Sequence, residues 1–411
     1  MAETMNKYVF LTEDLFGLTG SQRYVNNKCR FLRENGWEVI VFWNYNIAPV
    51  ILDNIKCFDS EKYIYHELKF YPCWFSKRER KRVVERLSAI IGNADQIVIE
   101  SSKIELSAWG ELLAERLHCK HISFVLTEGV TIQNQATFDY CFAKLQKKEF
   151  FNINPANVTN FFSKFTTIES PEDHYWSAMQ GVEVENYPFP VFDNLPNADY
   201  TITHFGRYKK YFPSMLAELR QFISNHPERR FNIFFLGNSV KEDDVKQELD
   251  LSNVHITFRT EVKVIPKQVF EKSDVVIGCA GCASLASLYS PFVISMDVET
   301  FKPLGLLKRT TLDSNSSSGK YKNDKSLLQW LESLLIDCEQ YPLMVEKYVV
   351  HGFDYQMQFV NDCDYNYIDS TKVMEPMTQH DKLYAFMVKI GLYHVVEYFY
   401  YKRRGVKIIL R

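Results

Sequence analysis

The sequence predicts an α/β fold built in two successive halves, and three observations carry that prediction. The 411 residues exceed one ordinary core and suit two domains of about 150–200 residues each. Short apolar runs alternate with helix-period segments in both halves, the pattern of a parallel sheet with right-handed crossovers. Several runs stop at glycine: Thr201-Ile-Thr-His-Phe-Gly206, Asn232-Ile-Phe-Phe-Leu-Gly237 and Ser273-Asp-Val-Val-Ile-Gly-Cys-Ala-Gly-Cys282.

In the first half, a strand over 8–11 leads through Glu13-Asp-Leu-Phe-Gly17-Leu-Thr-Gly20 to a helix over 21–35. That helix has apolar spacing through Tyr24, Val25, Cys29, Phe31 and Leu32, and Gly36 stands where its C-cap belongs. A strand over 38–43, a helix over 81–91, a strand over 96–99, a helix over 106–117 and a strand over 121–126 follow. The segment Asn186-Tyr-Pro-Phe-Pro-Val-Phe-Asp-Asn-Leu-Pro196 reads as an extended linker because of its prolines. It separates a domain over 1–190 from a second over 198–370, with 371–411 a helical, aromatic C-terminal segment. The second half reads as strands over 201–206, 232–237, 254–258, 275–277 and 292–295. Helices over 215–224, 240–249, 266–272 and 284–289 lie between them. Residues 310–325, rich in Ser, Asn and Lys, read as a mobile loop suited to closing over a ligand. Residues 327–335 read as an amphipathic helix.

Composition excludes several classes. Hydrophobic residues make up 46% and charged residues 24%, which fits a globular chain and not a disordered one. A net charge of −3 argues against a general nucleic-acid binder. Nine cysteines without a regular framework, behind an N-terminus with no long apolar stretch, read as reduced thiols in a cytoplasm. No run approaches the ~18 apolar residues that cross a bilayer. The 15% aromatic content fits core filling, with sugar stacking as the sharper alternative.

The glycine-ended strands indicate the chemistry. A strand that empties into small residues and then a helix presents backbone N–H groups to phosphate. Arg207 offers a planar fork of donors for phosphate oxygens, and Lys209 or Lys210 a point charge. Together with Gly237, Gly281, Cys282 and Ser284 they outline a crevice for a diphosphate, so a nucleotide is the first ligand to consider. Cys279-Ala-Gly-Cys282 has no second cysteine pair at zinc-ribbon distance and reads as the wall of that crevice, with no metal expected. His118-Cys-Lys-His121 reads as a loop and strand start, and His204 as a core histidine. Asp362-Cys-Asp364 lies too late in the chain for a metal-binding acid pair. The tail from Tyr398 carries Lys402, Arg403, Arg404, Lys407 and Arg411 and no acid. Two readings stand for it, an anionic membrane surface or a helix packed back on the first domain.

Taken in order, these residues resemble the GT-B glycosyltransferases, especially the retaining group that uses nucleotide-sugar donors. Thr19-Gly20-Ser-Gln-Arg-Tyr24-Val is similar to that family's early glycine loop and helix. Arg33-Glu-Asn-Gly-Trp-Glu-Val-Ile-Val resembles its helix end and second strand. Phe205-Gly206-Arg207 with Lys209 or Lys210 resembles the opening of its donor domain. Ser273-Asp-Val-Val-Ile and Pro291-Phe-Val-Ile-Ser-Met-Asp297 resemble the strands around its donor loop.

The resemblance implies two Rossmann-like domains facing a central cleft, acceptor on 1–190 and donor on 198–370. The last helices would return to the first domain or meet a membrane surface. It implies transfer of a sugar from a nucleotide-diphosphate sugar to a polysaccharide or lipid-linked acceptor at the inner face of the plasma membrane, without metal or other cofactor. Gly20 would let its loop approach the donor phosphates with no Cβ in the way. An inverting reaction needs a general base, for which Glu13, Asp14 and Glu128 are the candidates, Asp14 and Glu128 foremost. One departure matters. Retaining members carry two glutamates seven residues apart in the donor loop, whereas no carboxylate stands here between Asp274 and Asp297, the second falling near Ser284 or Ala286. A sugar-nucleotide epimerase and a catalytically silent sugar-nucleotide binder or scaffold are therefore kept as alternatives.

Overall fold

The computed structural model describes residues 6–13, 15, 20–44, 52–127, 129–176, 184–185, 194–207, 212–237, 242–259, 265–298, 300, 302–315, 317, 319–344, 352–360, 365–374, 378–392, 395–396 and 398. It divides into two units: Met1–Gly17, Val25–Trp176 and Gly352–Arg411 form the first, Leu18–Tyr24 and Ser177–His351 the second.

The first unit is built on five parallel strands, β1 (Lys7–Thr12), β2 (Glu38–Trp43), β3 (Ile97–Ser101), β4 (Lys120–Val125) and β5 (Phe150–Asn152). Their spatial order is β2-β1-β3-β4-β5. β1, β3, β4 and β5 are buried along their whole length, as strands covered on both faces must be. Helices α1 (Gly20–Glu34, of which Val25 onward belongs to this unit), α2 (Lys77–Ile91), α3 (Ile104–Leu117), α4 (Gln135–Gln146) and α5 (Pro155–Phe162) accompany them. α2 begins four residues before the expected 81. Its first turn is charged and gives no apolar signal, but Ser76 caps it by accepting from Glu79 N. Val83, Val84, Leu87 and Ile91 then face the core, and Gly92 ends the helix at φ 64°.

The second unit holds a small parallel pair, β6 (Val184–Glu185) with β10 (Ile265–Pro266), and a six-stranded sheet. The large sheet comprises β7 (Tyr200–Phe205), β8 (Phe231–Leu236), β9 (Val254–Arg259), β11 (Val275–Gly278), β12 (Val293–Met296) and β13 (Pro303–Leu306). Its spatial order is β13-β12-β11-β7-β8-β9, with only β13 antiparallel. Counted along the chain, that is the 3-2-1-4-5-6 order of a Rossmann sheet. Helices α6 (Phe212–Asn225), α7 (Glu242–Glu248), α8 (Lys267–Glu271), α9 (Ala280–Ala286) and α10 (Leu327–Leu331) connect or follow these strands. The period-2 alternation of the strands divides the core. Ile233, Phe235, Val275 and Ile277 pack under Phe212, Met215 and Leu219 of α6 and Trp330 of α10. Phe234, Leu236 and Val276 pack under Val269 and Phe270 of α8 and Ala283 of α9.

Both halves are thus α/β and Rossmann-like, and the C-terminal helices α11 (Phe353–Met357) and α12 (Gln379–Lys389) belong to the first unit. Val388 and Val396 join its core, with Tyr384 and Met387 packed against that core. Upstream, Ile368 N donates to Glu111 Oε1 at 2.9 Å and Ser370 Oγ to Ala108 O at 2.8 Å. Residues 399–411 lie outside the described residues. Among the described residues, no helix is long and apolar enough to cross a membrane.

Two expectations are corrected. The helix read as 284–289 is α9, which starts at Ala280 with Cys279 as its N-cap, and residues 287–289 form a turn after it. The small residues that looked like a loop are the first turn of that helix, close-packed on β11 and β12. Residues 311–315, read as part of a mobile loop, are largely buried: Thr311, Asp313, Ser314 and Asn315 are shielded from solvent. Ser314 O accepts from Ala280 N, and Asn315 O accepts from Val298 N at 3.2 Å. Polar composition concealed a segment whose main chain is tied to the sheet.

Candidate functional site

The sheet order of the second unit reverses between β7, its first strand, and β11, its fourth. Open α/β sheets bind ligands outside the carboxyl ends of the strands at such a switch point. β7 runs into Gly206-Arg207, β11 into Cys279-Ala280-Gly281-Cys282, and β8 into Gly237. Gly278 registers against Phe205, so the β7 and β11 ends lie level.

Glycine is required here by close approach. Gly206 and Gly237 each have φ 148°, and a Cβ on Gly237 would stand 2.0 Å from Gly206 O. A Cβ on Gly278 would stand 3.1 Å from Phe205 O and 3.4 Å from Ala283 N. The amides of Gly206 and Gly237 are occupied, donating to Leu236 O at 2.9 Å and Arg259 O at 3.0 Å. These glycines therefore let the strand ends close to main-chain contact, and neither amide is left over; the next main-chain N–H groups at these strand ends are those of the first turn of α9. Ala280, which opens that helix, has φ 51°, a left-handed conformation that costs an L-residue about 1–2 kcal/mol. Gly281 and Cys282 sit in the same turn, partly exposed, and Cys282 Sγ would lie 3.8 Å from a Cβ on Gly206.

Arg207 follows Gly206 directly, is exposed, and makes no ion pair with a described residue. Gly20 opens α1 with nothing within 4 Å of the position a Cβ would take, so the fold itself does not demand glycine there. Arg23, one turn further, belongs to the second unit and is half-buried. Burial pulls its guanidinium below the usual range, and an electrostatic interaction with Cys282 opposes that. Sequence reasoning included Arg23 only within the family motif and did not select it; its position in the motif was the available signal. Ser284 is buried within α9, away from the helix start expected of it. His204 is buried with its ring 5.0 Å from that of Phe212, edge to face, and burial lowers its pKa to about 3. It is a core residue. Lys209, Lys210, Asp14, Gly17, Glu128, Asp362 and Asp364 lie outside the described residues.

In the first unit the order reverses between β1 and β3. There Glu13 forms an ion pair with Lys103, and Ser102 Oγ donates to Thr12 Oγ1 at 3.4 Å. Glu13 therefore has a cationic partner. Gly129, just past residue 128, has φ 68° and donates its N–H to Asn157 Oδ1 at 3.1 Å.

Two buried polar clusters underlie this sheet. Glu100 Oε2 accepts from Lys28 Nζ and Tyr8 OH, each at 2.6 Å, and Lys28 also lies over the Trp176 ring at 4.6 Å. Glu111 Oε2 accepts from Lys144 Nζ and His121 Nδ1, each at 2.8 Å, and Lys144 also donates to Glu149 at 2.9 Å. Burial pushes the Glu111 carboxyl up, but Lys144 and His121 outweigh it and hold it well below the carboxylate range. Burial and Lys144 together lower His121 to about 4. Closed to solvent, these groups order the core. Among the described residues no group of three or more His, Cys, Asp or Glu side chains is placed to hold a metal ion.

No family model and no curated protein matches the chain. Solved structures similar in chain path include S. aureus MnaA in a co-structure with UDP, at 12% identity and TM-score 0.47, covering 87% of this chain and 98% of that one. A UDP-N-acetylglucosamine 2-epimerase covers 100% of both chains at 11% identity and TM-score 0.46. A glycosyltransferase from Rickettsia africae ESF-5 has 15% identity and TM-score 0.43 over 67% of this chain and 73% of that one. At these values the strand order of the chain itself, and not the likeness, establishes its fold.

Proposed function

We propose that this chain is a glycosyltransferase that takes its sugar from a nucleotide-diphosphate sugar. The observation that carries the reading is the 3-2-1-4-5-6 sheet whose switch point brings Gly206-Arg207 level with the α9 turn. The order of family-like motifs along the sequence supports it. Arg207, Arg23 and Lys209 or Lys210 balance the charge of the diphosphate, Gly281 and Cys282 N–H groups add main-chain donors, Gly20 leaves room for it, and Gly237 acts indirectly by letting the β8 end close on Gly206. In transfer, the bond between the anomeric carbon and the diphosphate oxygen breaks and the acceptor oxygen bonds that carbon. The electron pair leaves on the diphosphate. In an inverting course, Glu128 or Asp14 takes the acceptor hydroxyl proton. The acceptor is a glycan or a lipid-linked oligosaccharide, and the setting is cytoplasmic.

A specific observation favours a second reading. The stretch 275–296 around α9 contains no Asp or Glu, which fits a member that binds nucleotide sugar without turning it over. Incubation with uridine, guanosine and adenosine diphosphate sugars, with and without glycan acceptors, separates the cases. Nucleoside diphosphate release that requires acceptor supports transfer. An isomerised sugar without acceptor supports an epimerase, and binding without turnover supports the silent member. Binding to none of them overturns the whole reading.

A further inference from the structure

Large apolar side chains left in water concentrate in one place. Of eleven such residues described in the chain, six lie between 383 and 398: Leu383, Phe386, Ile390, Leu392, Val395 and Tyr398. Isolated exposed apolar residues need no explanation, but a local concentration does. α12 shows how it arises. Val388 is buried in the first unit's core, and Tyr384 and Met387 pack against that core, at helical spacing. On another side, Leu383, Phe386 and Ile390, also at helical spacing, are 55%, 59% and 54% exposed. A helix with apolar residues on both sides suits a position between two apolar surroundings, and the chain supplies one of them.

Charge selects the other. Asp381, the acid of α12, is held at the helix start, accepting from Thr378 N at 2.8 Å and Thr378 Oγ1 at 2.6 Å. From 382 to 411 the sequence has seven Lys or Arg and one Glu; the totals of 48 and 51 leave 41 and 50 for the rest. A segment of net +6 is thus attached to a body of net −9. Tyr393, Tyr398, Tyr400 and Tyr401 are interspersed, the amphipathic aromatic type favoured at membrane–water interfaces.

We propose that the outward face of α12 docks on an anionic lipid bilayer, with Leu383, Phe386 and Ile390 entering the headgroup boundary and Lys382 and Lys389 meeting anionic headgroups. A second copy pairing through the same face would bring two +6 segments together, whereas a negative lipid surface attracts them. The inference does not depend on the nucleotide-sugar reading.

The test is sedimentation of the full chain with vesicles of phosphatidylglycerol and phosphatidylcholine against vesicles of phosphatidylcholine alone. The expected result is binding to the anionic vesicles that weakens as salt rises. The combined variant Leu383→Ser, Phe386→Ser, Ile390→Ser is expected to bind at least tenfold more weakly with an unchanged melting temperature. Lys382→Gln with Lys389→Gln is expected to lose about tenfold or more. Three outcomes overturn the proposal: no binding to anionic vesicles, equal binding by the apolar triple variant, or a concentration-dependent dimer that this variant dissolves. Nucleotide titration of the same samples reports separately on the donor site.

Discussion

Replacing Gly237 by Ala tests the argument that the strand ends of the second unit close to main-chain contact. The added Cβ would sit 2.0 Å from Gly206 O, a backbone atom that cannot rotate away. Bringing that contact to an ordinary distance requires the β7 and β8 ends to part by about 1.5 Å, an overpacking distortion costing about 1–3 kcal/mol. The φ of 148° adds about 1–3 kcal/mol for a residue with a side chain. The expected loss is therefore about 4 kcal/mol, confined to the second unit. Because the chain has two units, the readout is local: hydrogen exchange of β7 and β8 amides together with urea unfolding. Gly20→Ala is the matched control. Its Cβ meets nothing within 4 Å and the site is helical, so stability is expected to stay within about 1 kcal/mol or rise. Under the proposed function, Gly20→Ala weakens nucleotide binding without that loss. A stability cost for Gly237→Ala below about 1 kcal/mol would refute the close-approach reasoning.

Acid should destabilise the fold before the carboxylate range is reached. His121 and His204 have folded pKa values lowered to about 4 and about 3, so the unfolded chain takes up protons first. Their stabilising contribution is complete above about pH 6.5 and is lost as pH falls through that value toward the folded ones, at about 1.4 kcal/mol per unit for each. His204→Leu, which keeps the apolar contacts with Phe212 and Phe235, is expected to flatten urea midpoints measured from pH 7 to pH 4.5. Glu111→Gln leaves Glu149 as the one carboxylate facing Lys144 among the described residues and removes the negative charge beside His121, with an expected cost of about 3–5 kcal/mol. It also weakens the acceptor of Ile368 N, so limited proteolysis should reach 365–374 sooner than in the parent.

The sequence revealed strand-ending glycines more readily than it revealed helix starts. Strand 38–43 coincides with β2, and 254–258 lies within β9, because an unbroken β-branched and aromatic run has few other uses. The start of α9 was hidden because Cys279-Ala-Gly-Cys lacks a capping side chain and resembles a loop. Its helical turn depends on Ala280 adopting φ 51° under a contact from Ser314, which is remote in sequence. α4 and α5 were not read at all. Their aromatic residues surround the helix and blur the period, although Asn134 and Asn154 were legible as caps. The 3-2-1-4-5-6 order could not be read, because periodicity reports which face of a strand is buried and not which strand lies beside it. Arg207 was legible because it adjoins Gly206 in sequence, whereas Arg23 lies far from α9 in sequence and interacts electrostatically with Cys282 only through the fold.

The central claim is that the β7 and α9 ends hold a diphosphate. Its most direct test is titration of the full chain with uridine, guanosine and adenosine diphosphates, alongside Arg207→Ala and Arg23→Ala. Each lost charge-assisted hydrogen bond corresponds to about 1.5–3 kcal/mol, so the expected result is binding of one diphosphate that weakens about tenfold to a hundredfold in each variant. Binding that both variants retain at full strength, or binding to none of the three, would contradict the account.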